Sequence, residues 1–426
     1  MLAPTSTTQT QSNSSGASLF RTGDGKNYLF TFMLMCSLFL LWGVCSSLLD
    51  NLNKHFQNTL HISKFESGFV QNAFYMGYFI MALPAGFIAR RFGYKGGIIF
   101  GLSLAAAGAF WFVHATAIDT YGAFLLGLFV LASGLACLET IANPYTTVLG
   151  PVETGPLRIN MAQTCNGIGW ISGMFIGAHV ILSATTEVNT SNSKLYIPYL
   201  GIGIVVAFLL VIFIFAKIPD LRAVEEFKPE AEGKTKKPLF QRSHFTLGVF
   251  AQFLYVAAQT GIFSFFINYA VANIANLSDR SAGNLQTIAF GLFAGGRLIG
   301  SAVVGLTKPH KALAIYAVVN TGMMILAMAA GGWAGVICLM ASFFFMSIMF
   351  PTIFALSIRG LGEHTKMGSS MLVMSIVGGA IMTPIMGLIA DKGGMRIGFI
   401  IPLACFLYIA AYAAAWRNLE AKDASS

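Results

Sequence analysis

The chain has 426 residues, of which 56% are hydrophobic and only 10% charged, with 26 basic side chains against 17 acidic ones. Soluble globular proteins carry about 25% charged residues, so this composition excludes a soluble protein. The net charge of +9 is no footprint for nucleic acid and has to be read by location. The apolar runs instead match the ~20 residues that cross a hydrocarbon core as helix, so the protein is expected to sit in a lipid bilayer with many passes.

In chain order, residues 1–27 are rich in Ser and Thr and lack an apolar core near the start. They read as a disordered cytoplasmic tail rather than a cleaved signal peptide. Apolar runs predict helices near 29–56, 67–90, 96–114, 121–148, 159–184 and 196–217. A second set falls near 245–273, 282–306, 311–330, 334–358, 367–390 and 397–416. Between the sets, 218–243 is rich in Lys, Glu and Pro and reads as a soluble linker. This divides the chain into six-helix bundles at 28–217 and 244–417, with a short tail at 418–426. Lys and Arg concentrate in alternate loops, including Arg90, Arg91, Lys95, Arg158, Lys308, Lys311, Arg359 and the linker. The positive-inside rule then places both termini and the linker in the cytoplasm. Cys36, Cys45, Cys137, Cys165, Cys338 and Cys405 all lie in apolar runs without metal-ligand spacing and read as small core residues.

The two sets look like repeats. Pro144 in the fourth helix is echoed by Pro351 in the tenth, and each is followed by a short basic loop and a Gly-rich helix. The expected fold class is therefore an all-α membrane protein with twelve transmembrane helices in two parallel six-helix repeats.

Acids inside such helices are expensive, by ~2.5–3.5 kcal/mol on insertion scales, and mark function by default. Glu139 follows the nearly unbroken apolar run Ala123–Leu138. Asp50 ends the run Leu29–Leu49, and Leu52 and Phe56 continue the apolar pattern beyond it. A carboxyl in an apolar wall resists ionisation and gains a charge when water or solute enters, which suits it to couple proton movement to a change of shape. One charge crossing ~100 mV releases about 2.3 kcal/mol. A pH unit adds about 1.4 kcal/mol, so one proton could support roughly several-hundred-fold accumulation of a neutral solute. The competing roles are an interfacial helix-end acid for Asp50 and a buried hydrogen-bonder for Glu139.

Amides cluster beside Glu139. Asn143 lies one turn on, and Asn160, Gln163 and Asn166 recur every third residue along the fifth helix. Amides both donate and accept, which suits sugar hydroxyls, although interhelical bonding is an alternative use. Trp42, eight residues before Asp50, could stack on the apolar face of a pyranose. Gln259, Asn268, Tyr269 and Asn320 are weaker candidates in the second half. Arg297 is a cation within the eighth helix and reads as a structural or gating partner. Arg158 with Glu153 and Arg359 with Glu363 could close one face as gate pairs, although exposed pairs contribute little singly.

Two parallel six-helix repeats are the organisation of the major facilitator superfamily. The segment Gly86–Lys95 resembles its loop 2–3 signature, departing at Arg90, where an Asp is usual. Leu138–Pro151, with its Glu-Thr-x-Ala-Asn-Pro motif, resembles the fucose–proton symporter family within it. So do Arg158–Asn166, Phe350–Phe354, Lys366–Ser370, and Leu41-Trp42-Gly43 with Asp50. That family also holds glucose/galactose and N-acetylglucosamine transporters. The resemblance implies that Asp50 translocates the proton, that Glu139 is tied to sugar binding, and that Gln163 and Asn166 contact the sugar. Ser46 and Ser47 stand where the fucose transporter has amides, which implies room for a larger or differently substituted sugar.

The expected function is a proton-coupled sugar importer working by alternating access. It would be a monomer in a bacterial inner membrane, with no cofactor beyond the transported proton. A drug-exporting antiporter of the same fold would show an amide-poor aromatic cavity. A sensor would need a signalling domain larger than the linker. An enzyme would need a nucleophile or metal cluster that the sequence lacks.

Overall fold

Backbone in lipid can satisfy its own polar groups only within helices or closed barrels, and the long apolar runs of this chain fold as helix almost throughout. The computed structural model describes residues 19–20, 27–150, 155–182, 196–219, 238–361 and 365–424. The first half comprises α1 (Leu29–Thr59), α2 (Lys64–Ser67), α3 (Phe69–Ile118), α4 (Tyr121–Val148), α5 (Gly155–Val180) and α6 (Tyr196–Phe215). The second comprises α7 (Ser243–Asn273), α8 (Asp279–Leu306), α9 (Pro309–Ala330), α10 (Gly332–Met346), α11 (Met349–Ile358), α12 (Thr365–Met374), α13 (Gly378–Gly393), α14 (Met395–Gly398) and α15 (Ile400–Ala424).

Among the described residues, ten helical stretches are long and apolar enough to cross a membrane. α5 and α8 are long enough as well, but their glycines, amides and charged side chains make them less apolar. α3 holds two of the expected spans, joined at Gly93, whose φ of 76° is a conformation that favours glycine. Just beyond it, Lys95 Nζ donates to the carbonyls of Ile214 (2.8 Å) and Ala216 (2.9 Å). A cation there complements the negative end of α6. The expected helix at 334–358 is divided into α10 and α11. Pro351 cannot donate to the Ser347 carbonyl one turn earlier and its ring crowds that oxygen, so the helix breaks at Ser347–Ile348. The expected helix at 367–390 is α12 and α13, joined by a tight turn at Ser375–Val377.

Each half has its own apolar core. One gathers residues of α1, α3, α4 and α6, among them Phe56, Phe112, Phe124 and Tyr199. The other gathers residues of α7 to α11 and α13 to α15, among them Tyr255, Phe266, Phe343 and Trp416, joined from the first half by Met174 of α5 and Leu182 just beyond it. α1 and α5 pack closely through glycines. A Cβ on Gly43 would fall 2.2 Å from the Asn166 carbonyl oxygen, and one on Gly169 would fall 2.3 Å from that of Leu40.

Both expected tails differ in part from the structure. Phe20 packs on Phe32 with ring centroids 4.8 Å apart, and its carbonyl accepts from the Tyr28 amide at 2.8 Å. Residues from 418 continue α15 through Ala424, and the Asp423 carboxylate accepts from the His244 amide at 2.9 Å, tying the end of α15 to the start of α7. Most of the expected tail at 1–27 and of the linker at 218–243 lies outside the described residues.

Candidate functional site

α1 continues through Asp50 to Thr59, so Asp50 is not a helix-end residue. It is 3% exposed and lies where the two halves meet. Three donors converge on its carboxylate. Gln71 Nε2 of α3 donates to Oδ1 at 3.1 Å. From the other half, Ser264 Oγ of α7 donates to Oδ1 at 3.5 Å and Gln286 Nε2 of α8 to Oδ2 at 3.2 Å. Among the described residues no basic side chain pairs with it. A buried carboxyl without a counter-ion is costly unless hydrogen-bonded, and here two of the three donors belong to the opposite half.

From Asp50 a polar seam runs to the end of the molecule that carries the turn between α1 and α2. Asn53 Nδ2 donates to the Ser67 carbonyl at 3.2 Å, and Gln57 Nε2 donates to Asn53 Oδ1 (2.7 Å) and Ser67 Oγ (2.8 Å). Asn268 of α7 then donates to Gln57. At the rim, two carboxylates from the second half hold the first. Asp279 accepts from Asn58 Nδ2 at 2.5 Å and lies 3.7 Å from Lys54 Nζ. Asp391 accepts from Lys64 Nζ (3.1 Å) and from the amides of Lys64 (3.2 Å) and Phe65 (2.9 Å), the first turn of α2. Gly68 and Gly387 let the backbones of α2–α3 and α13 approach, since a Cβ on Gly387 would fall 2.4 Å from the Lys64 carbonyl oxygen. A polar depression of about 420 Å³ opens beside this rim, lined in part by Lys54, Gln57, Asn268 and Asp391. The halves are closed at this end.

These bonds lead to a prediction. Asp391→Ala removes three bonds that involve a charged acceptor, each contributing about 1.5–3 kcal/mol when buried and less at a rim. It should open this end more often. A cysteine replacing the buried Ala380, whose carbonyl accepts from Asn72 across the seam, should then react with an impermeant maleimide about tenfold faster, a ratio equivalent to ~1.4 kcal/mol. An unchanged rate would show that Asp391 does not hold the closure.

Farther along the interface stands a second polar group. Glu139 and Asn143 of α4, Gln163 of α5 and Trp42 of α1 are all half-buried at mid-helix positions. Gln163 Nε2 donates to Asn143 Oδ1 at 3.4 Å. Tyr78 of α3 is close enough to interact with both Glu139 and Trp42, and Tyr75 with both Asp50 and Glu139. Tyr75 also accepts from Thr260 Oγ1 of α7 at 3.3 Å, which places this face of α3 against the second half. The structure thus brings Asp50, Glu139 and Trp42 near the face of α3 that meets the second half, and joins Asn143 of α4 to Gln163 of α5. Gln259 is half-buried on α7 next to Thr260.

Other expected residues fall elsewhere. Asn166 does not continue the face of Gln163. It is buried, and its Nδ2 donates to the Phe39 carbonyl of α1 at 3.1 Å. The side chain of Asn160 lies outside the described residues. Ser46 and Ser47 do not open a pocket: both are buried, and Ser47 Oγ would lie 2.2 Å from a Cβ on Gly173 of α5. Arg359 pairs with Glu420 of α15 at 3.0 Å and sits over the Trp416 ring, because α15 extends far enough to meet it. Arg158 is buried and donates to the carbonyls of Thr146 (3.2 Å) and Leu19 (3.1 Å). The expected partners Glu153 and Glu363 lie outside the described residues. Arg297 lies over the Phe293 ring at 5.2 Å and faces Tyr255, within its own half.

Gln71, Tyr75, Ser264 and Gln286 were not singled out from the sequence. Each is a polar residue in an apolar stretch, which is a usable signal, but nothing in the chain marks them as neighbours of Asp50. Tyr75, Ser264 and Gln286 reach across to the opposite half, whereas Gln71 meets Asp50 within the first.

Two six-helix halves, meeting along a seam of buried polar side chains, define a membrane carrier whose halves can part. The chain belongs to the Major Facilitator Superfamily, whose profile matches residues 28–374. It is 38% identical over 411 residues to the L-fucose-proton symporter of Escherichia coli (strain K12), covering 92% of this chain and 94% of that one. It is also 38% identical over 394 residues to the glucose/galactose transporter of Brucella abortus biovar 1 (strain 9-941), covering 92% and 95%. Among solved structures it matches a Major Facilitator Superfamily transporter, FucP, in the outward conformation, with a TM-score of 0.67 at 38% identity, over 91% of this chain and 99% of that one. A D-xylose-proton symporter shares the fold at a TM-score of 0.73 and 12% identity, over 92% and 97%.

Proposed function

We propose that this protein imports a neutral hexose together with a proton by alternating access. The observation that carries the reading is Asp50, a carboxyl with no cation beside it among the described residues, bonded by donors from both halves. Such a group can report its proton to both halves at once. Glu139, Asn143 and Gln163, with Trp42 beside them, supply the mixed donors, acceptors and aromatic face that a sugar requires. The fucose and glucose/galactose transporters among its relatives support the substrate class. Fucose, glucose, galactose and N-acetylglucosamine remain the panel to test, since the buried Ser46 and Ser47 do not enlarge the space between the halves.

Basic residues such as Arg91, Lys95, Lys308, Lys311 and Arg359 gather at the end holding the termini. We place that end in the cytoplasm of a bacterial inner membrane. The closed end then faces outward. We infer a monomer needing no resident cofactor. Arg158, Arg297 and Arg359 serve as structural anchors within their own halves.

The test is uptake of that hexose panel by cells or proteoliposomes with the external pH recorded. One sugar should enter with alkalinisation of the medium. Uptake that leaves the pH unmoved, or no response to any sugar, would overturn the reading.

A further inference from the structure

Gln286 occupies an unusual position for a membrane amide. It is fully buried, and its Nε2 donates both to Asp50 Oδ2 at 3.2 Å and to the Phe263 backbone carbonyl at 2.8 Å. Its Oε1 has no hydrogen-bond partner. Turning the amide over would aim that oxygen at the Phe263 carbonyl, so Phe263 holds the donor edge toward Asp50. Around the carboxylate, α3 presents Gln71 and the titratable Tyr75, α7 presents Ser264, and α8 presents Gln286. α5 packs against the same turn of α1 through Met174, which accepts from Asn51. Lys54, one turn along α1, is paired with Asp279. The surroundings are therefore dominated by donors.

A bare carboxylate only accepts, whereas a protonated one must also donate. Hydrogen bonds to an ionised acceptor are roughly twice as strong as neutral ones. Adding the proton at Asp50 weakens the accepted bonds and turns one oxygen into a donor, which the two amides can meet only by turning over and the Ser264 hydroxyl only by giving up its own donation. Two of those bonds are what join α7 and α8 to α1 at this depth.

We propose that Gln286 is a positioning residue that makes closure of the α1/α2 end depend on Asp50 being unprotonated. With the carboxylate bare, Gln286 and Ser264 tie the halves together; with the proton on, the tie loosens. By linkage, whatever closes this end also favours proton release. This rests on the reading of Asp50 as the proton acceptor.

A natural reporter sits at the same place. Trp170 of α5 packs on Phe263 (5.8 Å between centroids) and Phe290 (5.0 Å), both of the second half. Its emission should change when the halves part. The experiment follows tryptophan emission of the purified protein in proteoliposomes across pH without sugar, taking the difference from Trp170→Phe to isolate that ring. Wild type should titrate from the closed to the parted signal as pH falls. Asp50→Asn and Gln286→Leu should both stay at the parted signal throughout. Gln286→Glu, which places a second carboxyl against the first, should instead part as pH rises. If Gln286→Leu titrates like wild type while Asp50→Asn does not, Gln286 has no such role and the reading of Asp50 survives. If Asp50→Asn titrates like wild type, the reading of Asp50 itself falls. Should Gln286→Leu fail to assemble, the sign of the Gln286→Glu response decides, and a wild-type direction overturns the proposal.

Discussion

Asp50→Asn should abolish uphill sugar accumulation while sparing sugar exchange across the same membrane. The substitution keeps the size of the side chain and one acceptor oxygen, so with sugar bound the seam can still close around Gln71. It removes the proton that would tie transport to the gradient. A potential of ~100 mV and one pH unit together offer roughly several-hundred-fold accumulation per proton. The variant's steady-state ratio should fall to about one, the value without coupling. Counterflow of labelled sugar in proteoliposomes should persist. A variant that still concentrates sugar would move the proton role to another residue, with Glu139 the next to examine.

Glu139→Ala should weaken sugar binding by roughly tenfold to a hundredfold, the equivalent of losing one hydrogen bond worth about 1.5–3 kcal/mol. Glu139 is half-buried in the space between the halves, beside Tyr78 and within reach of Tyr75. The Tyr78 hydroxyl is buried beside Glu139 and Trp42, so it can turn to a ligand or to Glu139 as the site rearranges. Glu139→Gln, which keeps the reach and the acceptor, should lose less. Titration calorimetry separates these outcomes, and retained affinity in Glu139→Ala would remove Glu139 from the sugar site.

Much of the architecture could be read from hydropathy alone. The length of the apolar runs predicts the spans, and Pro351 signals a disturbed helix, although its effect was to divide a span rather than merely to mark a repeat. Asp50 and Glu139 stand out because charge in oil is rare. Their partners do not stand out in the same way. Gln71, Ser264 and Gln286 lie 21, 214 and 236 residues from Asp50 along the chain, and periodicity along one helix says nothing about which side chain meets it from another. The same limit explains Asn166. Its spacing from Gln163 suggested a shared face, but close glycine packing draws α1 near enough for the Phe39 carbonyl to take its amide. Arg359 gives a third case, since its partner Glu420 depended on how far the last helix runs.

The glycine contacts between α1 and α5 have a mechanical consequence. With Gly43 and Gly169 letting the backbones touch, and Ser47 and Asn51 pressed against Gly173 and Gly177, the pair cannot slide or swivel internally without collision. It must pivot as one stiff beam. Along that beam Asp50 lies about two turns beyond Trp42, with Gln163 on the same pair, so a tug at the acid reaches the proposed sugar site as a tilt, without any chain of intervening side chains to relay it.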